Sequence, residues 1–159
     1  MINRSNIFRK IKLFFRYGFL VTYWFIFRPS YQGAKVVIVC GDEMLLVRHT
    51  FHPHYWTFPG GTVEKNEVPM ETAIREVKEE LNIDLKNVVK TGEFNSNQFY
   101  KKDTCHCFYT IVENKNFEID DYEIVEARFW PVSNPPHNLG TKNARKIFDL
   151  YLEYINKHD

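Results

Sequence analysis

The tightest constraint on how this chain can fold lies between Tyr55 and Ile83, where "YWTFPGG" leads through a short loop into a helix-forming run. The strand-like residues must stop at Pro59 and turn at Gly60-Gly61, because proline removes a ladder donor and glycine opens turn conformations. The spacing then predicts a helix from about Pro69 to Leu81. Pro69 suits the first turn, where its missing N–H costs nothing, and Asn82 suits the left-handed residue past the end. At about 100° per residue, Met70, Ile74, Val77 and Leu81 share one apolar stripe, while Glu76, Glu79 and Glu80 gather within about 100° on a different face. Like charges so placed repel by roughly a few tenths of a kcal/mol per pair. A hard divalent cation reverses that sign, since Mg²⁺ favours carboxylate oxygens, keeps several waters and accepts substrate phosphate. A solvated acidic face is the plain alternative. Arg75, four residues after Glu71 and eight after Glu67, can brace acids on the loop and the helix, and the bare backbone of Gly60-Gly61 lets a phosphate approach closely.

Around this segment the chain alternates in the manner of strands. Ala34–Cys40 and Met44–Arg48 flank the turn signal Gly41-Asp42 and read as a hairpin. Val88–Tyr100 and Thr104–Val112 form a long antiparallel pair, Val125–Pro131 is a further strand, and "TKNARKIFDLYLEYI" is an amphipathic helix. Strands outnumber helices, so the class is an α/β or α+β layered sandwich rather than a doubly wound sheet. With 159 residues, 44% of them hydrophobic, one ordinary domain is expected, and neither a repeat nor a low-complexity tract interrupts it.

The formal net charge of +1 hides an asymmetry: seven of the 21 basic residues and none of the 20 acidic ones fall in residues 1–41, which leaves 14 against 20 in the remainder. No basic stripe of the kind that grips nucleic acid is expected on the domain. In the arm, "NIFRKIKLFFRYGFLVTYWFIFRP" sets Ile7, Ile11, Phe14, Phe15 and Gly18 on one helical face opposite Arg9, Lys12 and Arg16, then turns wholly apolar from Phe19 to Phe27. The run lacks a small-residue cleavage site and is interrupted by Arg16, so neither a signal peptide nor a full span of about 20 residues is expected. Packing on the domain, on a second copy as a homodimer, or peripherally on a membrane surface all remain open. The domain division is therefore a helical arm at 1–33 and one compact domain at 34–159. Three cysteines, Cys40, Cys105 and Cys107, read as small buried hydrophobes in a reducing cytoplasm, and the His49, His52, His54 cluster reads as a loop.

From Gly61 the residues run Gly, five positions, Glu67, seven positions, Arg75-Glu76-Val77, one position, Glu79-Glu80, one position, Asn82-Ile83. This resembles the Nudix box, G-x5-E-x7-R-E-U-x-E-E-x-G-U with U apolar, departing from it only at Asn82, where the family has glycine. Asparagine tolerates the left-handed conformation, so the same helix stop is expected. The likeness extends more loosely through "LLVRH", "WTFPGG" and "EARFWPV", covering residues 34–155.

The resemblance implies a Nudix-type α/β/α sandwich with a mixed sheet, and hydrolysis of a diphosphate linkage in a nucleoside diphosphate joined to another moiety: a nucleotide sugar, a dinucleotide or a nucleoside triphosphate. It implies Glu76, Glu79 and Glu80 as ligands of Mg²⁺ or Mn²⁺, one of them also taking a proton, with Glu67 and Arg75 orienting them. Glu123 sits where some relatives carry an extra ligand or base. Arg48, Gly60 and Gly61 are candidates for phosphate contact, and Tyr55, Phe94, Phe99 and Tyr100 for stacking on a base. Two other activities on such a fold are weighed against this. An isomerase of the isopentenyl diphosphate type needs a catalytic cysteine in a context that Cys40 and Cys105 lack, and a binding module that senses a nucleotide without turnover usually loses the acids that this chain keeps.

Overall fold

The structure is a computed structural model that describes residues 30–96, 102–140 and 142–158. The arm up to residue 29 and the candidate stacking residues Phe99 and Tyr100 lie outside the described residues. Seven elements follow one another: β1 (Ser30–Cys40), β2 (Glu43–His49), α1 (Pro69–Leu81), β3 (Val89–Ser96), β4 (Lys102–Ile111), β5 (Ile124–Pro131) and α2 (Lys142–His158). The strands make one mixed sheet in the order β3-β4-β1-β2-β5. β1 runs parallel to β4, while β1/β2, β2/β5 and β3/β4 are antiparallel.

Strand alternation sorts the apolar residues into two layers. Ala34, Val36 and Ile38 of β1 with Leu45 and Val47 of β2 meet Ala73, Val77 and Leu81 of α1. Val37 and Val39 with Met44 and Leu46 face the other way, toward Ala144, Ile147 and Tyr151 of α2. Near-continuous burial on both faces follows from a sheet covered by a helix on each side. The result is the α/β/α sandwich that the sequence implies.

Three details differ from the sequence reading. β1 opens at Ser30, four residues before Ala34, where the sequence reading starts the strand, because its pairing with β4 begins at Ser30↔Lys102. The "YWTFPGG" segment is no regular strand: β1 and β2 diverge after a short pairing, and the segment fills the split through single bridges, Val47↔Thr57 and Gly33↔Thr62. On α1, Met70 and Ile74 are exposed rather than packed, and the buried face is Thr72, Ala73, Val77, Glu80 and Leu81. Among the described residues no helix is long and apolar enough to cross a membrane.

Candidate active site

Two loop glycines and one helix face build the site. Residues 59–63 run back along β1, where Val36 N–H donates to the Pro59 carbonyl, Ala34 N–H to that of Gly61 and Val63 N–H to that of Gln32. Gly60 takes φ 118° there, a left-handed value, and a Cβ would collide with the Ala34 carbonyl. A Cβ on Gly61 would overlap the Glu76 carboxyl group, so the second glycine is the seat of that carboxylate. Gly61→Ala should therefore displace Glu76 and lower kcat at least about tenfold with a cooperative melt retained, as kinetics and thermal melting would show.

α1 begins at Pro69, with the Val68 N–H 3.4 Å from the Glu71 carboxylate, and ends where Asn82 enters the left-handed region at φ 53° with its N–H on the Lys78 carbonyl. Asparagine thus stops the helix as glycine would. Arg75 uses its planar fork on Glu67, with Nε and an Nη 2.8 and 3.0 Å from the two carboxylate oxygens. Its other Nη donates to Glu76 at 2.9 Å and Glu79 at 3.1 Å. Glu67 also accepts from the Thr72 hydroxyl at 2.7 Å and the Glu64 N–H at 3.1 Å. Arg75 foremost, and Thr72 after it, hold the Glu67 carboxyl down at about 2, and Glu67 in turn raises the Arg75 guanidinium further above its already high range.

The acids do not share one environment. Glu79 is 60% exposed, whereas Glu80 is 3% exposed and accepts a hydrogen bond from the Gly60 N–H at 3.0 Å. The sequence placed Glu80 on a solvated face; the backfolded glycine loop covers it instead. Burial pushes the Glu80 carboxyl up to about 7 against the opposing pull of Lys35 and the Gly60 N–H, with the charges of Glu76 and Glu123 adding to the rise. Burial likewise raises Glu76, against Arg75. His49 Nδ1 lies 3.8 Å from Glu80. Burial first, then Lys35 and His52, lower His49 to about 4, so near neutral pH this is a contact of a neutral imidazole rather than an ion pair.

The remaining candidates fall around this cluster. Glu123 is exposed in the loop before β5, where its carbonyl accepts from Thr50, and its charge reaches Glu80. Arg48 is engaged by Glu126, its partner across β2/β5, and stacks 5.1 Å from the Trp56 ring. Tyr55 is exposed, and Phe94 lies under Lys146. The three thiols are free, with Cys107 buried. Sequence reasoning missed Lys35 and His49: it counted the first with the charges of the arm and the second with the histidine loop. A lone cation in the apolar run "AKVVIVC" was the available signal for Lys35.

Among the described residues no three side chains converge into a ready-made metal cage. Arg75 holds Glu76 and Glu79, and Gly60 holds Glu80. The donors are nevertheless all carboxylate oxygens on one helix, and one of them is buried at a cost that a cation would relieve. That donor set fits a hard divalent ion completed by waters and phosphate rather than an all-protein cage.

Comparison with known proteins agrees with this geometry. The NUDIX domain family model matches residues 30–151. The human diphosphoinositol polyphosphate phosphohydrolase 3-beta is 36% identical over 120 residues, covering 73% of this chain and 68% of that protein. The ADP-ribose pyrophosphatase of Bacillus subtilis (strain 168) is 30% identical over 134 residues, covering 79% and 70%. Among solved structures, a MutT protein from Methanosarcina mazei Go1 superposes with a TM-score of 0.68 at 21% identity, covering 83% of this chain and 97% of that one. The NUDIX domain of Shewanella oneidensis NrtR superposes with a TM-score of 0.69 at 15% identity, covering 79% and 88%. With the box residues assembled on α1 and the loop that leads into it, and the family model matching residues 30–151, the chain belongs to the Nudix hydrolase family.

Proposed function

We propose that this enzyme hydrolyses a diphosphate linkage in a nucleoside diphosphate joined to another moiety, with Mg²⁺ or Mn²⁺ held by Glu76, Glu79 and Glu80. The observation that carries the reading is the sheltering of Glu80 beneath Gly60 beside Glu76 over Gly61, with Arg75 fixing Glu76 and Glu79. When bound, the cation supplies Lewis acidity toward the phosphoryl oxygens. Arg75, itself anchored by Glu67, sets the direction of the carboxylates. Gly60 and Gly61 present backbone without side chains to the phosphates. Glu123, whose exposed carboxylate takes no hydrogen bond among the described residues, accepts the proton of the attacking water.

Charge favours a nucleotide over a more anionic substrate. A relative named for diphosphoinositol polyphosphates is 36% identical to this chain and one named for ADP-ribose is 30% identical. Residues 42–159 carry more acid than base, and Arg48 and Arg75 are already paired with carboxylates. A substrate bearing many phosphates would find both of these arginines already engaged among the described residues. A panel of nucleotide sugars, ADP-ribose, dinucleotides, nucleoside triphosphates and a diphosphoinositol polyphosphate, assayed for phosphate-containing products with Mg²⁺, Mn²⁺ or EDTA, tests this. At least one nucleotide should be cleaved at a diphosphate bond with metal and not with EDTA. Exclusive cleavage of the inositol compound would overturn the substrate class, and turnover in EDTA would overturn the role of metal.

A further inference from the structure

β1 places one cation, Lys35, inside its apolar half, Ala34–Cys40. By alternation it shares a face with Val37 and Val39, which are buried toward α2, and it sits beside Cys107 in the β1–β4 register. Its side chain leaves that core. The half-buried ammonium donates to the Gly60 carbonyl, on the residue whose N–H holds Glu80. Its charge is felt by Glu80 and Glu76 on α1, His49 on β2 and Cys105 on β4. Those groups belong to three other elements, α1, β2 and β4. Among the described residues, however, no carboxylate comes within ion-pair distance of it, and the Gly60 carbonyl is its one hydrogen-bond partner. An ammonium carries three donors, so two have no protein acceptor there. A half-buried cation left short of partners costs free energy that a valine at this strand position would not. Water fills those two donors in the absence of substrate, and an anion entering the site would offer charged acceptors in its place.

We propose that Lys35 contacts the substrate, donating to a non-bridging oxygen of the diphosphate from the β1 side of the site while α1 supplies the metal-holding carboxylates. This rests on the reading of the site as a diphosphate site. It distinguishes Lys35 from Arg48 and Arg75, whose guanidinium groups are already engaged by Glu126 and Glu67. An alternative role exists for the same amine: a permanent internal counter-charge for Glu76 and Glu80, with no substrate contact. The two roles predict opposite responses to loss of the charge.

The test uses K35M and K35R in the full chain, with calorimetric binding of α,β-methylene-ADP in the presence of Mg²⁺, steady-state kinetics on the best substrate of the panel, and metal-induced thermal shifts without nucleotide. K35M should weaken binding of the analogue at least about tenfold, the usual range for a lost hydrogen bond to a charged group. KM should rise to match, kcat should change less, and K35R should recover most of the loss. The metal dependence of the thermal shift should stay within about twofold of the parent. If K35M does not fold, K35Q carries the same expectation. Unchanged affinity for the analogue, or tighter metal binding with unchanged KM, overturns the proposal in favour of the internal counter-charge. Parent protein that binds neither α,β-methylene-ADP nor inorganic pyrophosphate overturns the diphosphate reading and this proposal with it, whereas parent binding that K35M leaves intact overturns this proposal alone.

Discussion

Glu80→Gln should lower kcat by at least about a hundredfold, yet leave the metal-free protein as stable as the parent or more so. The two halves of that expectation come from one observation. Glu80 is buried under the glycine loop, where its charge is costly and its acceptor role toward the Gly60 N–H is satisfied by an amide oxygen as well as by a carboxylate. Its carboxyl titrates at about 7 in the fold against 4.5 for the ordinary group. Because the folded value is raised, the stability associated with the protonated form is fully present below pH 4.5 and is lost as the pH rises through 7. The melting temperature of E80Q should therefore match the parent near pH 4.5 and exceed it increasingly up to pH 7, by a stability difference on the order of 3 kcal/mol. His49, lowered to about 4, favours the fold in the opposite direction between pH 4 and 6.5, so the difference above pH 6.5, where His49 is neutral in folded and unfolded chains alike, is the part that reports Glu80. Added Mg²⁺ or Mn²⁺ should raise the parent's melting temperature by mass action and that of E80Q little. A variant with parental turnover, or one less stable than the parent at pH 8 without metal, would sink the assignment. Glu79→Gln should lose activity comparably without the pH-dependent gain, since Glu79 is exposed.

Arg75→Gln should lower both kcat and stability, and its effect on stability should carry its own pH signature. The guanidinium is the only group among the described residues that reaches Glu67, Glu76 and Glu79 together. Without it, Glu76 and Glu79 lose the partner that fixes their direction, and removing such support around a metal site typically costs about ten- to a hundredfold in activity or metal affinity. Arg75→Lys should recover little, because a single ammonium cannot reproduce the fork on Glu67. The Glu67 carboxyl is depressed to about 2, first by Arg75 and then by Thr72. Its contribution is present above pH 4.5 and is lost as the pH falls through 2. The gap in melting temperature between parent and variant should therefore be widest above pH 4.5 and close toward pH 2. A gap that stays constant over this range would assign the loss to packing of the Arg75 stem instead.

How much of this was legible beforehand depends on the range of the interaction concerned. α1 was readable at both ends, because Pro69 and Asn82 mark them through their own backbone preferences. The strands were readable from alternation, and the acids of α1 from their spacing. Burial of Glu80 was not readable: it depends on residues 59–63 folding back along β1, through pairs such as Val36 with Pro59 and Gln32 with Val63 that are far apart in the chain. The same covering explains why the packed face of α1 turned away from Met70 and Ile74. Lys35 and His49 belong to the site only because β1 and β2 splay apart and admit the Gly-Gly loop between them. Local propensity carries no trace of that split.

The parallel alignment of β1 with β4 has a consequence for the order of events during synthesis. Ten successive pairs join the start of the domain to residues about seventy positions later, from Ser30↔Lys102 to Val39↔Ile111. β1 is the middle strand of the sheet, so until β4 leaves the ribosome it has β2 on one side and an open row of backbone donors and acceptors on the other. Closing a loop of that length before any reward arrives slows folding, and an apolar strand such as Val36–Val39 is exposed to mispairing in the interval. The Gly-Gly segment, made earlier, pairs with Gln32–Val36 from the β2 side, so that only the edge facing β4 is left waiting. The two glycines that seat Glu76 and Glu80 would in that way also guard the nascent chain.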